Sequence, residues 1–271
     1  MKQHFTSALS QAFGRFASKT HTPKFQNFIN NTYVRMMGLD MSEFKSAESY
    51  TSLNELFTRH FVTMRTFSEE ANTVISPCDS LITEWGTIQD TRALQIKGMS
   101  YDVNAFLGEH IDDGSKEAIR NGSFVNFYLS PRDYHRYHAP MDMQVIKAVH
   151  IPGKLYPVNI PTLKNKVDLF IENERVVLEC LSVRGKRFFL VLVGALNVGK
   201  MEVAFEPKIQ TNTILVPSIY AYKNLHLKKG DDFGCFKMGS TIIMLCEKEM
   251  CEWNVMTGEN VRFGQTIAGI V

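Results

Sequence analysis

The sequence predicts an α+β protein: a helical N-terminal arm over residues 1–62, then a β-rich sandwich or barrel body over 63–271. Three observations predict it. Near the start, Phe5, Leu9, Ala12, Phe13 and Phe16 recur at helical spacing. From about residue 74 the texture changes to short β-branched and aromatic runs, punctuated by Gly, Asn, Asp and Pro. Those runs follow one another without the strand–helix alternation of βαβ units, so stacked or closed antiparallel sheets fit better than a parallel sheet.

In the arm, the first apolar stripe has Lys2, Arg15 and Lys19 on its other face or flanks. A second helix covers roughly 24 to 37, "KFQNFINNTYVRMM". A third begins at Ser52, where Ser-x-x-Glu in "SLNELFTRHF" forms a capping box ahead of an apolar stripe. In the body, "FFLVLVGAL" at 188–196 is far too short to span a bilayer and reads as a buried strand. The phrases "KKGDDFGCF" and "MTGENVRFGQTIAGI" place Gly beside acidic or Asn residues, as at hairpin ends. Both are similar to the turns of lipoyl- or biotinyl-type barrels, although no Met-Lys-Met carrier site is present.

Composition narrows the class. With 44% hydrophobic residues the chain can bury a real core, and a formal charge of +2 is too small to argue for nucleic acid. Cys78, Cys180, Cys235, Cys246 and Cys251 are odd in number and form no CxxC pair. That favours a reducing compartment over a disulfide framework or a zinc site. The first residues lack a secretory apolar core, because Gln11, Arg15 and several serines interrupt it.

Three stretches carry chemistry. "FYLSPRDYHRYHAPMD" (127–142) holds His135 and His138; "VISPCDSLITEW" (74–85) holds Asp79; "KMGSTIIML" (237–245) sets Gly239 and Ser240 before an apolar strand. Each has an ordinary reading: structural histidines, a turn aspartate, a bend in a strand. No HExxH or cysteine cluster completes a metal site around the histidines. Together the stretches supply Ser, His and Asp, a set able to deprotonate a hydroxyl. No GxSxG elbow surrounds Ser240. The serine instead follows a glycine, whose carbonyl has no Cβ beside it, and that suits attack by the serine on its own chain.

The segments "YTSLNELFTRHF", "SPCDS", "IKGMSYDVNAFLG", "SPRDYHRYHAP", "VLVGALNVGKM" and the GST after "KKGDDFGCF" resemble the signature segments of phosphatidylserine decarboxylases, from about residue 45 to the C-terminus. The resemblance implies a pyruvoyl-dependent proenzyme. Ser240 would attack the Gly239 carbonyl, and the chain would split into a β chain (1–239) and an α chain (240–271). Ser240 would become a covalent pyruvoyl group, the Schiff-base site for phosphatidylserine. By the same resemblance His138 is the base for Ser240, Asp79 orients His138, and His135 serves the decarboxylation step. Ser80 departs from the glycine that commonly follows the family's aspartate.

The implied product is phosphatidylethanolamine, with carbon dioxide released, as part of phospholipid biosynthesis. The implied setting is peripheral, on the cytoplasmic face of an anionic membrane, with the apolar side of the arm docked in the headgroup zone. The resemblance allows a homodimer and implies neither a metal nor nucleic acid. Alternative readings are a pyruvoyl decarboxylase of a soluble amino acid, a Ser-His-Asp hydrolase that never cuts itself, and a non-catalytic lipoyl-barrel-like binding module.

Overall fold

The most apolar stretches form the middle of one large antiparallel sheet. The computed structural model describes residues 14–196, 200–237 and 240–271. Its strand order is Ser218–Leu227, Met143–Ile151, Arg175–Ser182, Arg187–Val193, Ser240–Cys246, Ser123–Leu129, Ser80–Thr87 and Asn260–Val261. Strand Ser240–Cys246 is buried at every position and pairs on both edges, with Ser123–Leu129 and with Arg187–Val193. A strand covered on both faces has no solvent side to alternate with, so it reads as a continuous apolar run. The short helices Val103–Leu107, Ile160–Asn165 and Leu169–Glu172 add Phe106, Leu163 and Phe170 to the same core.

Three smaller sheets complete the body. Thr73–Ile75, Thr266–Ile270 and Cys251–Trp253 form one; Met201–Val203, Asp232–Phe236 and Arg136–His138 form another; Arg92–Ile96 and Met99–Asp102 make a hairpin. The fold is thus α+β with a β-rich body, and none of its sheets closes into a barrel among the described residues. The two lipoyl-like turns differ from the hairpin expectation. Strands Ser218–Leu227 and Asp232–Phe236 flank one turn yet belong to different sheets, as do Cys251–Trp253 and Asn260–Val261 around the other. Gly230 and Gly258 sit in these turns at φ 84° and 88°, which glycine adopts without strain. Local turn chemistry was legible; the partner of each strand is non-local.

In the arm, residues 14–18 are helical, and helix Pro23–Met37 matches the expected second helix, with Pro at its start and Gly38 (φ 64°) as a left-handed cap. The stripe positions Phe5, Leu9, Ala12 and Phe13 lie outside the described residues. The helix Pro23–Met37 turns polar groups inward. Gln26 donates to Asn30 Oδ1 (2.9 Å), and Asn30 donates to the carbonyls of Ala47 and Tyr50 (both 2.9 Å). Phe25, Phe28 and Met36 are left facing water, with Phe28 66% exposed. Helix Leu53–Phe57 is capped as expected: Ser52 Oγ accepts from Glu55 N (3.1 Å), while the Glu55 carboxylate reaches back to Thr51 N (2.7 Å).

Candidate active site

Two backbone pairings gather the three chemical segments. Ser240 opens its strand opposite Leu129, the last residue before the turn that carries the histidines. That turn is tied by Asp133, whose carboxylate accepts from Ser130 N (2.6 Å) and whose N–H donates to Ser130 O (2.9 Å). The chain then enters strand Arg136–His138, where His138 N donates to Pro77 O (2.9 Å) and so fixes the Ser-Pro-Cys-Asp segment alongside. Arg136 is locked across the small sheet by the Asp232 carboxylate.

Ser240 is fully buried, and its Oγ has no hydrogen-bond partner among the described residues. Thr241 Oγ1, next along, is also buried and unpartnered. Native interiors satisfy nearly all buried hydroxyls, so two orphans at the head of a central strand need a reason. Gly239, named with Ser240 as the cleavage site, lies outside the described residues.

His138 is fully buried with both ring nitrogens engaged. Nδ1 faces Gly230 O at 2.8 Å; a carbonyl only accepts, so Nδ1 carries the proton and Nε2 the lone pair. Tyr134 therefore donates its hydroxyl to Nε2 (3.0 Å). The ring stacks on Phe263 with centroids 3.8 Å apart. Burial lowers the His138 pKa below the usual histidine value, with the bond to Gly230, Asp232 and Asp79 pulling the other way. Gly230 can supply that carbonyl because it is glycine: an added Cβ would fall 2.2 Å from the Phe67 ring.

Asp79 makes no hydrogen bond to His138 among the described residues. Its carboxyl takes a two-point contact from Arg65 (2.5 and 3.0 Å) and accepts from Phe263 N (2.7 Å). It reaches His138 indirectly, by fixing the backbone of the residue whose ring lies on the imidazole. Arg65 is itself shared with Glu43 (2.7 Å), which also holds Arg262.

His135 is fully buried too. Its Nδ1 donates to Asp133 O (2.8 Å), its ring lies 4.0 Å from that of Phe57, and its Nε2 has no partner among the described residues. Burial, with the nearby Arg59 charge adding to it, pushes its pKa down to about 3. At neutral pH it is an uncharged ring offering a lone pair.

Tyr134, Phe263, Arg65 and Gly230 received no role from the sequence. Tyr134 alone carried a local signal, lying inside the DYHRYH segment. The others meet the site from far along the chain.

These features define a class before a family: an α+β protein whose candidate nucleophile heads a buried strand instead of sitting on an exposed elbow. Comparison with known proteins supplies the family. Residues 53–269 match the family described as "Phosphatidylserine decarboxylase". A "Phosphatidylserine decarboxylase proenzyme" of Helicobacter pylori is 43% identical over 262 residues, covering 94% of this chain and 96% of that protein. Proteins of the same name from Campylobacter jejuni and Marinobacter nauticus are 40% and 34% identical, over 97% and 95% of this chain and 99% and 92% of theirs. The chain belongs to the phosphatidylserine decarboxylase family.

Proposed function

We propose that the chain is a proenzyme that cuts itself between Gly239 and Ser240 and then converts phosphatidylserine to phosphatidylethanolamine and carbon dioxide. The observation that carries the self-cleavage is Ser240 itself: a buried hydroxyl without a partner, at the head of a strand, in register with the residue that leads into the histidine turn.

The steps balance without an outside reagent except water. Ser240 Oγ attacks the Gly239 carbonyl, and the amide nitrogen departs to leave an ester. Loss of the Ser240 Cα proton expels the Gly239 carboxylate and leaves a dehydroalanine, which water converts to a pyruvoyl end with release of ammonia. His138 Nε2 is the base for the first step. It must exchange its bond from Tyr134 for one from Ser240, and Asp79 steadies it through Phe263 and through space. The surroundings fit a covalent pyruvoyl group, because the new chain end is already buried and backed by the all-buried strand that follows. That group supplies a ketone that condenses with the substrate amine and draws electrons from the bond to the carboxylate.

His135 Nε2 holds an unpartnered lone pair; burial makes the free ring a weak base, so it takes up a proton only with the substrate's negative charge beside it. It can then return that proton to the α-carbon as carbon dioxide leaves, which makes it base first and acid second.

The partners proposed are phosphatidylserine in an anionic membrane and the chain's own β and α fragments. A peripheral position is supported by the outward Phe25 and Phe28, and the cytoplasmic face is carried over from the family resemblance; no described helix is long and apolar enough to cross a membrane. The lipoyl-like likeness concerns the turns at Gly230 and Gly258 alone and supports no binding-module function.

Intact-mass spectrometry of the purified protein tests the reading. Two chains split at 239/240 are expected, the smaller blocked to Edman sequencing. A single uncut chain with decarboxylase activity would falsify self-processing.

A further inference from the structure

We propose that Arg59 anchors the phosphodiester of the lipid headgroup beside the candidate active site, a binding role that rests on the decarboxylase reading above. Arg59 follows the capped helix Leu53–Phe57 and is 3% exposed. Its guanidinium lies over the Phe44 ring, 4.4 Å from the centroid. One nitrogen, Nη2, donates to Arg132 O at a long 3.3 Å. Nε and Nη1 have no partner among the described residues, and no carboxylate forms an ion pair with Arg59 there. A buried cation with two idle donors is costly, and burial lowers its pKa accordingly. Such a group persists where an anion completes it.

The space for that anion adjoins the site. A cavity of about 390 Å³ is lined by Arg59, Arg132, Arg65, Asp79 and Tyr134, the last two belonging to the machinery already described. Asp40, Glu43 and Asp133 line it as well, so its cations must be sorted. Arg65 is held by Glu43 and Asp79, and Arg262 by Glu43. Asp133 is turned toward Ser130 N, and burial raises its pKa. Asp40 accepts from Ser42 N. The lining holds four arginines and four carboxylates, and Arg59, with the exposed Arg132, is a cation that no carboxylate contacts directly among the described residues.

The chemistry selects which oxyanion. A guanidinium on the carboxylate that must leave would stabilise the ground state and oppose the reaction. A phosphodiester is the same in substrate and product, so holding it orients the headgroup at no cost to the chemical step. Arginine's planar fork matches two phosphate oxygens.

The test titrates the processed enzyme by calorimetry with glycerophosphoethanolamine, glycerophosphoserine and inorganic phosphate, for wild type, Arg59→Met and Arg59→Lys. Arg59→Met should weaken both glycerophosphodiesters at least about tenfold. It should also raise KM for phosphatidylserine while kcat changes less than about threefold. Arg59→Lys should fall between, and carries the test if Arg59→Met does not fold. Loss of glycerophosphoserine binding alone would make Arg59 a carboxylate holder and overturn the proposal. Inorganic phosphate binding more tightly than either diester would overturn it in favour of a free-phosphate site. So would wild type that binds neither diester, or variants that bind both unchanged. If the chain never cleaves yet binds the diesters through Arg59, the decarboxylase reading falls and the anion site stands. Active, processed enzyme indifferent to Arg59 gives the reverse.

Discussion

Two arginines are buried among the described residues, and they are buried differently. Arg175, 4% exposed, lies at the end of a central strand over the Phe106 ring (5.5 Å). It donates to four carbonyls: Phe106 (2.7 Å), Ile171 (2.6 Å), Asn173 (3.0 Å) and Ala105 (3.3 Å). Arg59, equally buried and also over a phenylalanine, has one long bond. The first arginine staples two helices to the sheet and is complete. The second lies close enough to His135, whose Nε2 also has no partner among the described residues, for its charge to help lower that ring's pKa. Unpartnered buried groups occur elsewhere in the fold as well, but Arg59 lines a cavity that also reaches Asp79 and Tyr134, so a ligand there could complete it.

Saturation predicts what each region does when altered. In the unsaturated region the largest effect belongs to Ser240. Ser240→Ala should leave one uncut chain by mass spectrometry and no decarboxylation, yet a folded protein by circular dichroism, because the hydroxyl removed bonds to nothing described. In the saturated region, Arg175→Met should strand up to four buried carbonyls and cost about 3 kcal/mol or more of stability in a denaturant titration. Arg59→Met in the same assay should cost no more than about 1 kcal/mol. Equal losses at the two arginines would erase the contrast.

The acid limb of stability sharpens it further. His135 has an ordinary value of 6.5 and a folded value of about 3. Between those pH values the unfolded chain binds a proton that the folded ring refuses, so stability is lost as pH falls from about 6.5 toward 3. Each pH unit should remove about 1.4 kcal/mol for that proton. His138 acts in the same direction. His135→Gln, which does not titrate, should flatten the limb by one proton; an unchanged slope would mean that His135 is not held neutral.

How much of this was readable in the sequence depends on the range of the interaction. The helix 24–37, the Ser52 cap and the buried strand at 188 follow from periodicity and capping, which are local. The chemical segments were legible as motifs, and sheet register brings them together. Their connections were not. Asp79 meets Arg65 across 14 residues and Phe263 across 184. Nothing near Asp79 announces that its partner is a guanidinium, or that its route to His138 runs through an aromatic ring. Arg59 was in plain view within "FTRHF", but a single arginine acquires meaning only when its missing partners can be counted.

The outward face of helix Pro23–Met37 extends the same logic to apolar groups. Phe25 and Phe28 are 49% and 66% exposed, their rings stacked at 6.5 Å, while the helix buries Asn30 with its side chain donating to the Ala47 and Tyr50 carbonyls and accepting from Gln26. Here the unsatisfied element is hydrocarbon, and a bilayer interface would complete it. Changing both phenylalanines to serine should weaken flotation with phosphatidylserine-containing liposomes by roughly threefold to tenfold, the smallest effect of the set, since each ring is already partly covered. Turnover of dispersed short-chain phosphatidylserine should stay at the wild-type level, because the helix meets the histidine turn through Tyr33, whose hydroxyl donates to Pro131 O (2.9 Å), and not through these rings. Undiminished flotation would take the docking role away from this helix. Reduced turnover of the dispersed substrate would show instead that the outward face supports the site, and that its exposure is no sign of a missing partner.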